Sequence, residues 1–479
     1  MPRVRRVMVG AIVGLVAVLG VARATTVVPS ERVQESVTVR ATPAATSAAV
    51  GTIEVGKSAE LLGDVPRWYK VRLADGTEGY VSKAWTVTVE TPSTPPPGPT
   101  PSPAPPPTPS PGPSSGAGIV FRPVSAVAQV PHAPPAPGAY RVHLIDVGTG
   151  LSVLVQGHDF TLLFDGGSND DLAGISGGQD GDRLVAYLFA ALGPSGPPDC
   201  VPKGDPPPPQ ADNPQLPIQH VVLSHPHRDH AALLKDVLHC YAVANVWESG
   251  AVNPEAFYED FVRTVAADPD VTYHTATAMP ADRTVPFPDG GVLFPASVTW
   301  TTFAEGTQQA LGSGAHFTVL HVDPTLQPSA GSPDYNFNSV VLRVDLGSRS
   351  LLLTGDTTTG VRQAHTTPPT GAEQDLLAHH APELHVDILQ VAHHGSKTST
   401  RAAFLAAVAP QIALIGAGPK QYGSVVLPDA EVVDALDAAG IKVLRTDDSD
   451  QIGCPTADRI GRDDSTPGGC DNWVLDIAP

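Results

Sequence analysis

Between Thr91 and Gly116 about every second residue is proline, with serine, threonine and glycine in the gaps. Proline fixes φ and has no amide hydrogen, so neither a helix nor an interior strand can run through such a stretch. It reads as an extended polyproline-type spacer between independently folded parts. A looser run from Arg122 to Gly138 continues it, which gives a linker over 91–138 and a second domain over 140–479. A proline-rich recognition motif is conceivable there, but a stiff extracellular linker is the commoner use of this composition.

At the N-terminus Arg3, Arg5 and Arg6 precede an apolar run from Val7 to Val21 that ends in Ala22-Arg-Ala24. That order of charge, apolar run and small residues predicts a signal peptide over 1–24, and the run is short for a membrane-spanning helix. An uncleaved anchor is the alternative. The expected location is therefore secreted or cell-wall associated, with no further membrane-spanning segment. Four cysteines fall into two sequence-local pairs, Cys200/Cys240 and Cys454/Cys470, that could oxidise outside the cytoplasm. None stands in a C-x-x-C arrangement, which argues for loop stapling rather than redox or metal chemistry. A formal net charge of −20 argues against tight non-specific wrapping of a polyanion.

Residues 36–90 alternate apolar and polar positions in short runs (Val37-Thr-Val39, Trp68-Tyr-Lys-Val71, Gly79-Tyr-Val81) broken by Gly and Asp turns, which predicts a small β-barrel. The succession Val39-Arg40, Val50-Gly51, Gly56-Lys57, Trp68-Tyr69-Lys70-Val71, Asp75-Gly76 and Gly79-Tyr80-Val81 resembles the bacterial SH3-like domain. The resemblance implies a cell-wall peptide as partner, although Tyr80 stands where that family frequently has Trp. Trp68, Tyr69 and Tyr80 could equally be barrel core.

Beyond residue 140 the pattern is mixed. Strands are expected over 140–147, 152–155, 161–164, 220–223, 339–344, 351–353, 386–391 and 412–415, and helices over 181–192, 231–238, 401–407 and 430–439. The proline-rich stretch 196–217, which contains Cys200, reads as a surface insertion. The strand ending at Leu223 runs straight into Ser224-His225-Pro-His227-Arg-Asp229-His230, and a helix follows. Imidazoles and a carboxylate gathered in one loop can serve two borderline-soft divalent ions a few ångströms apart. A chance gathering of three histidines and an aspartate at such a turn is the weaker account in a chain with only 17 histidines.

His225-x-His227-x-Asp229-His230 matches the metal motif of the metallo-β-lactamase superfamily residue for residue, and further motifs follow in that family's order. The resemblance implies an α+β fold, the αββα sandwich, and two divalent metal ions, Zn or Mn. Leu163-Phe-Asp165-Gly-Gly167 resembles the first motif, in which Asp165 braces the metal loop from behind. Thr354-Gly-Asp356 resembles the motif whose aspartate bridges both ions, and Val391-Ala-His393-His394-Gly-Ser-Lys397 the one that supplies the last histidine. Adjacent histidines do not easily face one ion. His393 is favoured as the ligand, with His394 orienting it or touching substrate.

Val142-His-Leu-Ile-Asp146-Val-Gly-Thr-Gly, Asn336-Phe-Asn338-Ser339 and His393-His394-Gly-Ser-Lys397-Thr-Ser resemble the soluble hydrolase domain of ComEC-type competence proteins. That family has Gln and Asp where this chain has Thr149 and Leu151, and a His-Pro where it continues Tyr422-Gly-Ser424. By this resemblance Asp146 and Asn338 support the ligands; Asn336 and Asn338 most simply stabilise a turn, and the resemblance also allows them to complete a coordination shell. Asp229 and His230 belong to the catalytic centre, and Lys397, with Arg228 beside it, offsets charge on the substrate. A further histidine ligand is not obvious: His274, His316 and His321 are the candidates. The implied activity is a secreted metal-dependent hydrolase in which water is the nucleophile, acting on phosphodiester bonds in DNA or wall-derived material. Hydrolysis of a small ester, lactone or amide is the alternative within the fold, and a catalytically inert wall-binding protein the alternative outside it.

Overall fold

The computed structural model describes residues 23–29, 36–43, 47–54, 57–65, 68–83, 86–92, 114–116, 118–168, 183–193, 200, 216–288, 290–323, 335–418, 420–422, 425–448, 460 and 470–479. Most of the expected signal segment and most of the Pro-rich spacer lie outside these residues. The chain divides into two units, Met1–Pro107 and Thr108–Pro479. No helix among the described residues is long and apolar enough to cross a membrane.

The first unit is a seven-stranded antiparallel sheet. In Ser36–Arg40 and Glu78–Ser82 alternate residues are buried. The inward set, Val27, Val37, Val39, Ile53, Ala59, Val71 and Val81, forms an aliphatic core. Trp68, Tyr69 and Tyr80 are only half-buried, and the Lys83 ammonium lies 4.8 Å from the centre of the Tyr69 ring. The sheet begins before the expected start at residue 36, because Arg23–Pro29 pairs with both Ala59–Val65 and Thr86–Pro92.

The second unit is a four-layer αββα sandwich. One sheet has ten strands and the other seven. Their central strands, such as Val153–Gln156, Thr161–Phe164, Ile388–Gln390 and Ile412–Ile415, are buried throughout because both faces are covered, and alternation assigns each residue to a side. Leu162, Phe164, Val222, Leu351, Leu353, Ile388, Ile412 and Leu414 meet between the sheets. Leu163, Val221 and Leu223 face outward beneath Arg183–Leu192, Leu234–Cys240 and Ala256–Ala267. Leu352, Leu389, Ala413 and Ile415 face the opposite way, toward Ala402–Val408 and Ala430–Ala438. Cys200 and Cys240 are joined in a disulfide. Cys470 is disulfide-bonded as well, and Cys454 lies outside the described residues.

The linker boundary at residue 138 is corrected by the structure. Ile119–Val124 pairs along its whole length with the C-terminal strand Asn472–Ile477, which pairs in turn with Tyr140–Leu144. Ile119, Phe121 and Val124 are buried, so the second fold starts some twenty residues before Tyr140.

Candidate metal centre

Two parallel strand pairs, one in each sheet, deliver the chemistry to one edge of the sandwich. Thr161–Phe164 runs beside Ile218–Leu223, so Asp165 arrives next to Ser224. Arg349–Leu353 runs beside Ile388–Gln390, which brings Asp356 level with the histidine pair. The close approach of these turns demands glycine at two places. Gly150 has φ of +130°, and a Cβ there would lie 2.1 Å from the Asp229 carbonyl oxygen; at Gly355, with φ of +54°, a Cβ would lie 2.6 Å from Ser224 Cβ.

The rings are oriented from behind. Asp165, fully buried, accepts from the Ser224 amide at 2.7 Å on Oδ1, and from Ser224 Oγ at 2.8 Å and His230 Nδ1 at 2.7 Å on Oδ2. Ser224 Oγ has given its hydrogen to Asp165, so at 3.0 Å it accepts from His225 Nδ1. His394 Nδ1 donates to the Gly416 carbonyl at 2.6 Å. In all three rings Nδ1 is engaged from behind and Nε2 is the nitrogen left facing the cleft, the arrangement second partners impose on metal-binding histidines.

The front of the site is a cluster of acceptors. His225 Nε2 and His227 Nδ1 are 2.9 Å apart, and His230 Nε2 and His394 Nε2 3.3 Å apart. Asp356 Oδ2 lies 3.3 Å from His394 Nε2 and 4.0 Å from His225 Nε2. Asp229 Oδ2 lies 3.4 Å from His394 Nε2 and accepts from the Tyr422 hydroxyl at 2.7 Å. Asp356 Oδ1, 3.2 Å from His230 Nε2 but misaligned with it, has no hydrogen-bond partner among the described residues. Ligand atoms of His225, His230 and Asp356 form one compact group and those of Asp229, His230 and His394 another, each within 4.8 Å. Converging lone pairs and an orphaned buried carboxylate oxygen fit divalent cations of the kind that take N and O ligands.

Protonation reports the same field. Burial opposes charge on His394, but Asp356 and Asp229 outweigh it and push its pKa up to about 10. His230 is likewise raised, against burial, by Asp356 and Asp165. Burial also opposes charge on Asp356, which His230, His394 and His393 nevertheless hold well below the usual carboxylate range. His225 goes the other way, pushed well down by burial and by the neighbouring His230 and His227.

Several expectations change. His394 Nε2 is the nearer to the carboxylates, 3.4 Å from Asp229 and 3.3 Å from Asp356, whereas His393 Nε2 is 3.9 Å from Asp356; His393 binds Thr398 Oγ1 through Nδ1 (2.6 Å) and Asn336 Nδ2 through Nε2 (3.1 Å). Asp146 lies away from the ligands, accepting from the Gly148 and Cys470 amides and from Arg183, and so braces the turn that carries Gly150. Asn338 accepts from the Asp323 amide, and its neighbour Asn336 lines the cleft instead. Lys397 is turned away, its ammonium 2.7 Å from Glu431. The cations that do line the cleft, of about 430 Å³, are Arg228 and Arg362. Sequence reasoning missed Arg362, which stands in a loop without a motif; its guanidinium donates to Ser396 Oγ at 3.2 Å and pairs with Asp429. The three spare histidines are elsewhere: His274 stacked on Trp247, His316 beside Asp345, and His321 beside Glu305.

Comparison with known proteins agrees with this architecture. Residues 35–87 match the bacterial SH3 domain family and residues 145–299 the metallo-beta-lactamase superfamily. Competence protein ComA of Neisseria gonorrhoeae is 36% identical over 115 residues, 24% of this chain and 15% of its own length. ComE operon protein 3 of Bacillus subtilis (strain 168) is 33% identical over 138 residues, 28% of this chain and 16% of its own. Uncharacterized protein YcaI of Escherichia coli (strain K12) is 24% identical over 314 residues, 65% of this chain and 29% of its own. The chain thus spans less than a third of each of these relatives. The first unit thus carries a bacterial SH3 domain and the second a domain of the metallo-β-lactamase superfamily, with similarity to part of two competence-related proteins.

Proposed function

We propose that the second unit is a two-ion phosphodiesterase that works at or outside the cell envelope, with the SH3 domain holding it to wall peptide. The observation that carries this is the position of Asp356, with carboxylate oxygens directed at both donor groups, in a cleft whose lining cations are Arg228 and Arg362. His225 and His227 would hold one ion and Asp229, His230 and His394 the other, with Asp356 facing both sets. Zn or Mn suits this donor set. Such ions supply Lewis acidity toward a phosphoryl oxygen and lower the pKa of water.

The chain's own residues do the rest. Ser224 Oγ, Asp165 and the Gly416 carbonyl engage Nδ1 of His225, His230 and His394 and so turn each Nε2 toward the cleft. Tyr422 orients the Asp229 carboxylate. Arg362 and Arg228 offer hydrogen bonds to the oxygens of an anionic substrate, a preference a neutral lactone or amide would not repay. The acidic surface is no obstacle, because these guanidinium groups act locally.

The test is hydrolysis by the metal-loaded full chain of single-stranded DNA, bis(p-nitrophenyl) phosphate, a lactone and a β-lactam. Cleavage of the diesters is expected. Turnover of the lactone or β-lactam with the diesters untouched would assign the site to carbonyl substrates.

A further inference from the structure

In the proposed two-ion assignment the two ligand sets are unequal. Around the second ion the reading above gathers Asp229, His230, His394 and Asp356; around the first it finds only His225, His227 and Asp356, and His274, His316 and His321 are all committed elsewhere. We propose that the Asn336 carboxamide oxygen completes the first set, in the place where a histidine would be looked for. This rests on the two-ion reading.

Asn336 is 5% exposed and lines the cleft, and its Oδ1 is buried with no hydrogen-bond partner among the described residues. Buried amide oxygens rarely go without a partner, so an orphan at the wall of a cation site calls for one. Its neighbours place it on the His227 side. Tyr335, one residue earlier, packs its ring edge-on to the His227 imidazole with centroids 5.4 Å apart, and anchors through its hydroxyl to the Val252 carbonyl. The other end of the amide is fixed: Nδ2 donates to His393 Nε2 at 3.1 Å, and that ring is held through Nδ1 by Thr398 Oγ1. His393 Nε2 is itself 3.9 Å from Asp356 Oδ2, so the carboxamide stands beside the shared carboxylate. With the NH2 group tied to His393, the oxygen is the end left for the ion. His393 is then a positioning residue, its Nε2 committed to the Asn336 amide. A neutral, hard oxygen beside two imidazoles also shifts the first site toward Mn relative to an all-histidine set.

The experiment is Mn titration of the metal-stripped full chain by calorimetry, with electron paramagnetic resonance of the loaded sample. Wild type should bind two Mn with a spin-coupled spectrum. Asn336→Ala should keep one ion at wild-type affinity, weaken the other about 10-fold or more, and show an uncoupled signal. Asn336→Asp, which restores an oxygen ligand at the same place, should recover both ions and the coupling, and so separates ligand loss from misfolding. Two ions of wild-type affinity and a coupled spectrum in Asn336→Ala would overturn the assignment while leaving the two-ion reading intact. Fewer than two ions in wild type would overturn both.

Discussion

Replacing Asp165 by Asn is the cleanest way to test whether the metal loop is oriented from behind. Asp165 sits at φ of +61°, a conformation that Asn tolerates well, so the change adds little backbone strain. Its two oxygens have different obligations. Oδ1 accepts from a backbone amide, which can only donate, so the Asn oxygen must stay there. The NH2 then replaces Oδ2 and faces Ser224 Oγ and His230 Nδ1. His230 can answer only by moving its proton to Nε2, the atom that faces Asp356 and His394. Ser224 Oγ, no longer donating to Asp165, can donate to His225 Nδ1 and reverse that ring too. Loss of such a supporting partner costs about 10- to 100-fold in metal affinity, or about 1.4 to 2.7 kcal/mol. Calorimetric titration with Mn, alongside circular dichroism to show that the fold survives, reads this directly. A folded Asp165→Asn chain with wild-type affinity for both ions would refute the orientation argument.

Three further outcomes follow from the structure. Glu248, buried against Tyr258 and Tyr273, is pushed by burial to a pKa of about 7 in the folded chain; the folded state keeps a proton that the unfolded state gives up near pH 4.5, so this group's contribution falls by about 3 kcal/mol as pH rises from 4.5 to 7. Glu248→Gln should flatten that part of the urea midpoint's pH dependence, and an unchanged slope would contradict it. Arg362→Ala should raise KM for a phosphodiester about 10-fold through loss of a charged hydrogen bond, whereas Lys397→Ala, whose ammonium rests on Glu431, should leave the kinetics unchanged; the reverse ranking would restore Lys397 to the site. Limited proteolysis should release a stable second unit that starts before Ile119. A fragment made from Tyr140 loses the buried Ile119, Phe121 and Val124, each worth about 1.5 to 3 kcal/mol, and a Tyr140 fragment as stable as the longer one would contradict the strand pairing.

The metal loop could be singled out because it is local: one strand, one turn and one helix bring four candidate ligands within six residues, and the residue types alone limit the chemistry. The sandwich was legible through runs such as Leu351-Leu-Leu353, whose unbroken apolarity signals a strand covered on both faces. The choice between His393 and His394 was not. Both have left-handed backbone, with φ of +51° and +53°, and the decision falls to a carbonyl at Gly416, just past the strand Ile412–Ile415 and more than twenty residues further along. Arg362 was invisible for a similar reason. Its loop is gathered by the buried Arg401 guanidinium, which donates to the carbonyls of Val361, Gln363 and Ala364, and no pattern near residue 362 announces that contact. Ile119–Val124 was hidden by the prolines on either side and by a pairing partner at the far end of the chain.

The shared carboxylate is the centre of the account, and Asp356→Asn tests it most directly. The measurement is the number of ions bound per chain after metal loading and desalting, made on wild type and variant together with bis(p-nitrophenyl) phosphate hydrolysis. Removing a charge that faces both donor groups should weaken both ions together, abolish hydrolysis and leave the fold intact, a larger defect than that of Asp165→Asn. Two ions per chain and near-normal hydrolysis in Asp356→Asn would contradict it.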